Sequence, residues 1–324
     1  MPRCERLDFR GASHYVLVRG AVGTLIFFDV HALNVVPRAR RQSAPHVLKF
    51  ERYLIEARDE CGALLHAYCV EPNRAILVLT SAGAPLQAFM QRLSGRFARY
   101  LRAGGFLAGR TAFAARYDSK VIAPDYLPHA VRRTHRSPIA SGLCKQRVDY
   151  PFGSDRAYGG ELSSVPIDMA DMRAALELKG YSGSRGYRTF MDQAETPYVA
   201  NLLSRGSPFD SRIVGDKVFV QKARHMAAHP PMLPTREELI AGVARLLNCT
   251  PTDISSATHT GALGRAIVAW YGVRSGTANL AEIGRWFSVT GATLGQAIRV
   301  QRRIKPDLFG LPQLPQAKTK FGPP

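Results

Sequence analysis

Residues Gly62–Thr80 constrain the fold of this chain more than any other stretch. They read Gly-Ala-Leu-Leu-His-Ala-Tyr-Cys-Val-Glu-Pro-Asn-Arg-Ala-Ile-Leu-Val-Leu-Thr. Two apolar, β-rich runs flank Glu71-Pro72-Asn73. A Pro-Asn pair between such runs predicts strand, turn, strand. Both runs carry few charges, which places them in the middle of a sheet.

Other elements fall into place around this hairpin. His14–Gly20 reads as a first strand, and Leu25–Phe28 as a second short apolar run. Pro45–Cys61 reads as a helix, with Val47, Leu48, Tyr53, Leu54 and Ala57 at helical spacings and Gly62 ending it. Pro85–Arg102 is the clearest amphipathic helix: Leu86, Phe89, Met90, Leu93, Phe97, Tyr100 and Leu101 share one face, and Gly104-Gly105 ends it. A further strand is expected over 116–122 and a helix over Asp125–Arg136. Strands at 14–20, 63–70, 74–79 and 116–122 with helices between them predict an α+β fold, a ferredoxin-like antiparallel sheet covered by helices.

The second half reads differently. Met169–Leu178 is a helix candidate, Gly180–Gly186 a Gly/Ser-rich loop, Phe190–Leu203 a helix, and Val214–Phe219 leads into another short helix. His229-Pro230-Pro231 and Pro234 mark a domain boundary. Beyond it the pattern is all helix. Thr235 and Glu238 form a capping box for a helix over Arg236–Leu247, and Gly264–Tyr271 is a second helix. Asn279 caps Leu280–Phe287, Ser288-Val289-Thr290 is a tight turn, and Ala292–Arg303 follows. The pattern Leu280-Ala281-Glu282-Ile283-Gly284-x-x-Phe287-x-Val289-x-x-x-Thr293 is that of a helix-turn-helix, with Arg285, Thr290, Thr293, Gln296 and Arg299 as candidate duplex contacts. The expected organisation is therefore 1–158 as the sheet domain, 159–229 as a helical or irregular connector, 230–304 as the helix-turn-helix domain, and 305–324 as a disordered tail rich in Pro and Lys.

Charge points to the partner. Lys and Arg number 44 against 25 Asp and Glu, a net charge of +19. Most of the cations are Arg, which suits bidentate phosphate contact, and their clustering implies nucleic acid. Arg92, Arg96, Arg99 and Arg102 form one stripe along the second helix with no acid interleaved, which favours a phosphate-tracking surface over a merely solvated face. Arg38-Ala39-Arg40-Arg41 is a basic loop that fits either role. Cys4, Cys61, Cys69, Cys144 and Cys249 are scattered and odd in number, so they imply neither a zinc ribbon nor a disulfide framework. No apolar run approaches a membrane span, and Met1-Pro2-Arg3-Cys4-Glu5-Arg6 lacks a signal-peptide core, so the cytoplasm is the expected location.

Several ordered motifs carry a resemblance. Leu65-His66-Ala67-Tyr68 followed by Pro72-Asn73-Arg74-Ala75-Ile76-Leu77-Val78 resembles the core of the REP-associated tyrosine transposases, single-tyrosine HUH enzymes, whose pattern there is Leu-His-Ala-Tyr and then Pro-Asn-His-x-His-Leu-Leu-Val. Met90–Tyr100 is similar to that family's Met-Gln-x-Leu-x-x-Arg-Tyr-Ala-Arg-Tyr helix, and Gly109–Lys120 to its Gly-x-Leu-Phe-Gln-Gly-Arg-Tyr-Lys-Ser segment. In the latter, Arg116, Tyr117 and Lys120 are kept, an Arg beside a Tyr that could grip a backbone and stack on a base. Arg132–Gly142 matches the family's Arg-Tyr-Ile-His-Leu-Asn-Pro-Val-x-Ala-Gly, and Tyr150–Ser154 its Tyr-Pro-Trp-Ser-Ser stretch. The helix-turn-helix resembles the DNA-binding domain of bacterial replication initiators.

The resemblance implies Mg²⁺- or Mn²⁺-dependent DNA transposition, in which paired histidines hold the metal against the scissile phosphate and a tyrosine attacks it. Here Arg74 and Ile76 stand at the histidine positions, Arg133 at the tyrosine and Ser137 at a metal-ligand asparagine. Guanidiniums stay protonated and neither ligate nor attack. The implied protein binds DNA, hairpin or single-stranded plus duplex, needs no cofactor and has lost strand cleavage, with Arg132 and Arg136 as further DNA contacts. Two alternatives stand beside it: an active nuclease using displaced residues among His66, His129, His135, Tyr117 and Tyr126, or an RNA-binding or scaffold protein.

Overall fold

The computed structural model describes residues 6–22, 24–28, 44–107, 109–161, 163–229 and 233–309. The Arg38–Arg41 loop, Cys4, Pro230-Pro231 and the tail beyond 309 lie outside them. The described elements run β1 (Ser13–Arg19), α1 (Pro45–Cys61), β2 (Leu64–Glu71), β3 (Arg74–Thr80), α2 (Leu86–Ala103), β4 (Asp118–Ile122) and α3 (Leu127–Ala140). Then follow α4 (Asp155–Tyr158), α5 (Ala170–Glu177), α6 (Gly183–Asp192), α7 (Pro197–Arg205), β5 (Ile213–Val214) and α8 (Lys217–Ala228). The last group is α9 (Arg236–Leu246), α10 (Pro251–Ser255), α11 (His259–Arg274), α12 (Leu280–Trp286) and α13 (Gly291–Ile304). None of these helices is long and apolar enough to cross a membrane.

The fold is mixed α+β around one five-stranded sheet of order β2-β3-β1-β4-β5. The first four strands pair antiparallel, and β5 joins β4 in parallel. Because strand residues alternate faces, β1 divides its side chains cleanly. Val16 and Val18 point to one face, where α1 and α2 bury Phe50, Leu54, Phe89, Leu93 and Phe97. Ala67 of β2 and Val78 of β3 look to the other face, where α3, α5, α6 and α7 close over the sheet with Val131, Met172, Phe190 and Leu202.

Local chemistry accounts for the well-read elements. Pro45 opens α1 at a position whose N–H has no helical partner anyway, and Gly62 closes it at φ 60°, a left-handed turn that glycine adopts freely. The hairpin reading of Gly62–Thr80 matches β2 and β3, but the central placement holds for β3 alone: β2 is the edge strand, its free side met where Val70 N donates to Phe152 O.

The short apolar run at Leu25–Phe28 is a loop that plugs the core, with Ile26, Phe27 and Phe28 buried and Phe27 stacking on Phe97 at 5.2 Å. Four further expectations need correction. The strand expected over 116–122 begins at Asp118, because the chain leaves the ladder after the bond from Ala114 N to Arg19 O, so Arg116 and Tyr117 precede it. Helix α6 starts inside the expected Gly180–Gly186 loop. The helix expected over Phe190–Leu203 is broken at 193–196, where Thr196 caps α7 and Pro197 takes its first turn. Residues 306–309 are ordered: the Trp270 indole donates to Phe309 O at 3.0 Å, the Tyr271 hydroxyl donates to Leu308 O at 2.8 Å, and Phe309 is buried.

Helices α9–α13 share a core of Leu239, Ile267, Ile283, Leu294, Ile298 and Phe309. Asn279 caps α12 by accepting from Ala281 N and Glu282 N, and Thr290 caps α13 by accepting from Thr293 N. Ser288 takes φ 55° in the turn between them. Gly284 lets that turn fold back, since any Cβ there would overlap the Val289 carbonyl.

This helical group rests on the sheet layer through glycine. A Cβ at Gly83 would overlap both the Val273 and Cys61 carbonyls, Gly276 approaches the Gly83 carbonyl at φ 69°, and Gly62 meets the Arg274 backbone.

Candidate nucleic-acid interface

A cleft of about 720 Å³ lies between the sheet's second face and α3. Strand register builds its floor. Arg19 sits opposite Arg74, Leu17 opposite Ile76, and Tyr15 opposite Lys120 of β4. Helix α3 supplies the wall with Arg132, Arg133, Arg136 and Ser137, residues one turn apart and therefore on one side. Arg74, Ile76, Arg133 and Ser137, far apart in the sequence, thus converge on one cleft, together with Lys120, Arg132 and Arg136.

Arg74 is not free in that cleft. Its Nε donates to Glu71 at 2.7 Å, and its terminal nitrogen donates to the hydroxyls of Ser137 at 3.1 Å and Ser141 at 2.7 Å. Both hydroxyls in turn donate to the Glu71 carboxylate, at 2.5 and 3.0 Å. Glu71 is buried and carries the counter-charge, so this network is a charge-neutral knot in which the Arg74 side chain stays partly exposed. Ile76 is buried beside it and offers only a hydrocarbon surface.

The α3 arginines differ, because their partners carry no charge. Arg133 donates to Ala200 O at 2.9 Å and to the Ser204 hydroxyl at 2.7 Å. Arg136 donates to Met191 O at 2.9 Å. Arg132 is buried, stacks over Phe190 at 4.7 Å and bonds His129 Nδ1 at 3.0 Å. Its Nε has no partner among the described residues. Burial lowers the pKa of Arg132, with the nearby Glu195 working against that and Arg136 adding to it. Burial also lowers Lys120, opposed by Asp118 and reinforced by Arg133 and Arg19. Arg19 itself pairs with Asp118 at 2.5 Å in solvent.

Several expected contacts lie elsewhere. The α2 stripe is on the sheet's other side, and α1 supplies its missing acids: Arg92 pairs with Glu60 at 3.3 Å, and Arg96 with Glu60 at 2.9 Å and Glu56 at 3.4 Å. The stripe is therefore half neutralised, which corrects the reading of an unbalanced surface. Arg99 bonds Gly95 O in its own helix, and Arg102 is exposed. Arg6 covers one face of the Tyr117 ring at 3.9 Å, so a base would have to stack on the other. Arg116 lies beside Tyr117 in a second cleft, of about 750 Å³.

The displaced-residue candidates do not assemble into one centre. His66 is buried, donating from Nδ1 to Asp168 O at 2.9 Å and accepting from the Thr80 hydroxyl at 2.8 Å. His135 is buried between Tyr187 at 2.8 Å and Ser154 at 2.7 Å. His129 serves Arg132, and Tyr126 pairs with Tyr198, burial raising its pKa to about 12. Among the described residues no group of three His, Cys, Asp or Glu could hold a metal ion.

In the helical group, Arg285, Thr290, Thr293, Gln296 and Arg299 are all exposed. Thr290 and Thr293 share a capping hydroxyl contact at 2.8 Å, and Arg299 donates to the Gln296 carbonyl oxygen at 2.8 Å. Sequence reading missed Tyr15, Arg19, Glu71, Ser141 and Glu195 in or beside the sheet cleft. Strict alternation from Val16 and Val18 would have put Tyr15 and Arg19 together on the cleft side.

No protein-family profile and no curated protein matches this chain. A solved structure described as a REP-associated tyrosine transposase bound to a REP hairpin is similar to it at 17% identity, over 52% of this chain and 94% of that one, with a TM-score of 0.37. At that identity and score, function has to be read from this chain's own residues.

Proposed function

We propose that this chain is a DNA-binding protein of transposase-like, ferredoxin-type architecture that grips a DNA strand in the cleft under its sheet without cutting it. The observation that carries this reading is the pair Arg133 and Arg136 on α3, partly exposed and hydrogen-bonded only to neutral acceptors, which leaves their charge available to phosphate, with Arg132 buried behind them. Loss of cleavage is supported by what replaces the family's chemistry. Arg74 is tied to Glu71, Ile76 has no lone pair, and Arg133 cannot attack phosphorus. The family's Mg²⁺ or Mn²⁺ would find no paired imidazoles at 74 and 76.

In this reading residues 1–158 form the strand-gripping domain, 159–229 the connector that roofs it, and 230–304 a helix-turn-helix that reads duplex. Support for the last comes from the tight α12–α13 turn at Gly284 and from the exposed Arg285, Thr293, Gln296 and Arg299. A DNA ligand implies a cytoplasmic, nucleoid-associated protein.

The test is binding of the full chain to hairpin, duplex and single-stranded DNA across salt, with Mg²⁺ or Mn²⁺ and a cleavage readout on the same samples. Steeply salt-dependent binding without cleavage is expected. Salt-insensitive, weak binding to every nucleic acid overturns the reading, and preference for RNA over a matched DNA hairpin replaces it.

One observation favours a second reading, a nuclease with a displaced nucleophile. Tyr15 lines the same cleft, beside Arg74 and Arg133. Burial pushes its pKa up to about 12 even though Arg133 and Arg74 pull it down, which is the wrong direction for a nucleophile. A covalent DNA adduct that disappears in Tyr15→Phe would establish this alternative.

A further inference from the structure

A separate cleft of about 690 Å³ opens between α1, α11 and α13. Its α1 wall is acidic, but every acid there is already matched. Glu56 pairs with Arg52 at 3.0 Å and with Arg96, Glu60 with Arg92 and Arg96, and Asp59 with Arg58 at 3.0 Å. The opposite wall is not matched. Arg274 and Arg302 both lie against the Trp270 ring, their guanidinium carbons at 4.7 and 4.1 Å from its centre. Neither makes a hydrogen bond or ion pair with a described residue, although Arg274 is only 8% exposed. Their nitrogens are not sealed in protein, so the forks open into the cleft. Burial pulls both guanidiniums below the ordinary arginine range, and Arg58 nearby pulls each further down, against Asp168.

Two like charges on one ring, Arg274 buried and Arg302 half-buried, with acids such as Asp168 acting on them only from a distance and none bonded to them, are an arrangement that packing alone disfavours. Stacking on Trp270 does something specific for them: it fixes the planes of both forks, the orientation that bidentate recognition of phosphate or carboxylate needs. Asn279 and Arg299 also line the cleft, and between them lies an apolar patch. Leu280, Ala292, Gly295 and Ile298 form a floor without long side chains. The volume is in the range of small-molecule sites.

We propose that this cleft binds a small organic anion, an apolar body carrying a phosphate or carboxylate, with the anionic group on Arg274 and Arg302 and the body against α13. The site lies apart from the sheet cleft, and the proposal stands whether or not that cleft takes DNA. Because its walls come from α1 and α13, an occupant would bridge the sheet layer and the proposed recognition helix.

Trp270 reports on it directly. The chain has two tryptophans, so a full-length Trp286→Phe variant leaves Trp270 as the sole indole. The probes are phenyl phosphate, benzoate, inorganic phosphate and a short duplex DNA, each titrated while Trp270 emission is followed. Saturable change with phenyl phosphate or benzoate is expected, and which of the two binds tighter identifies the anionic group. Arg302→Met, which keeps the stem on the ring, should weaken binding by about tenfold, the size of one charged hydrogen-bond contribution. Arg302→Lys should fall between the two, since it keeps charge but loses the fork. Circular dichroism of each variant separates lost binding from lost folding. No saturable change with either organic anion, or equal affinity in Arg302→Met, overturns the proposal. So does inorganic phosphate binding as tightly as phenyl phosphate, which would leave the apolar body without a role. Duplex DNA that competes with phenyl phosphate for the Trp270 signal, at equal phosphate and with the same loss in Arg302→Met, would make the pair a backbone contact and also overturn it.

Discussion

Arg74 donates to Glu71 at 2.7 Å, so this guanidinium in the sheet cleft carries its own counter-charge. Removing the acid should expose the cation. Glu71→Gln is expected to strengthen single-strand binding and steepen its log K against log salt slope by about 0.7, the value of one more neutralised phosphate. Arg74→Met should instead strand a buried carboxylate and destabilise the fold by about 2 kcal/mol, less than for a fully buried pair because Arg74 is partly exposed. Urea titrations and salt-dependent binding on the two variants check both signs.

The α3 arginines and the α2 arginines should separate in the same assay. Arg133→Met and Arg136→Met are each expected to lower affinity for all DNA sequences alike and to reduce the salt slope by about 1. Arg96→Met should leave binding unchanged and cost at most about 1 kcal/mol of stability, because Arg96 spends its charge on Glu56 and Glu60 at the surface. Fluorescence anisotropy over a salt series distinguishes them.

Stability should fall with acid below pH 6.5. Burial holds His135 neutral, with a pKa of about 4 against an ordinary 6.5. The Tyr187 hydroxyl donates to Asp155, so His135 Nδ1 donates to Tyr187 while Nε2 accepts from Ser154, an arrangement that protonation of His135 breaks. The unfolded chain therefore binds the proton first. Its stabilising contribution is complete above pH 6.5 and is lost as pH falls from there toward 4. His129, also near 4 through burial and the charge of Arg132, adds in the same direction. The urea midpoint measured from pH 7 to 4 should drop, and His135→Gln should flatten that drop.

Two glycine substitutions should have opposite signs. At Gly83 a methyl group has no room between the Val273 and Cys61 carbonyls. Gly83→Ala is expected to cost about 1–3 kcal/mol and to loosen the helical group, so that calorimetry resolves two transitions. Gly95 lies inside α2 with open space around it, and Gly95→Ala should stabilise by about 0.5–1 kcal/mol.

What was legible in the sequence was local. Pro45 and Gly62 bound α1 on both sides by backbone chemistry alone, and Thr235, Asn279 and their glutamates mark α9 and α12 in the same way. Convergence of Arg74, Ile76, Arg133 and Ser137 on one cleft was readable only through a resemblance, since the positions lie up to 63 residues apart. Charge compensation was not readable. Glu56 and Glu60 face Arg96 only because α1 packs on α2, and Glu71 faces α3 only because of where β2 ends. Helix α6 was missed because Gly and Ser dominate its first turn, and its tertiary contacts through Tyr187 and Phe190 outweigh that local preference.

The short turn at 306–309 changes where the helical unit ends. Phe309 is buried against Trp270, and two aromatic side chains hold the carbonyls of residues 308 and 309. A fragment cut at Ile304, where α13 stops, would lose the wedge that closes its own core and leave Trp270 and Tyr271 with unmet donors. The smallest self-sufficient piece of this half is therefore set by a five-residue tailpiece after α13, and any excised version has to carry it.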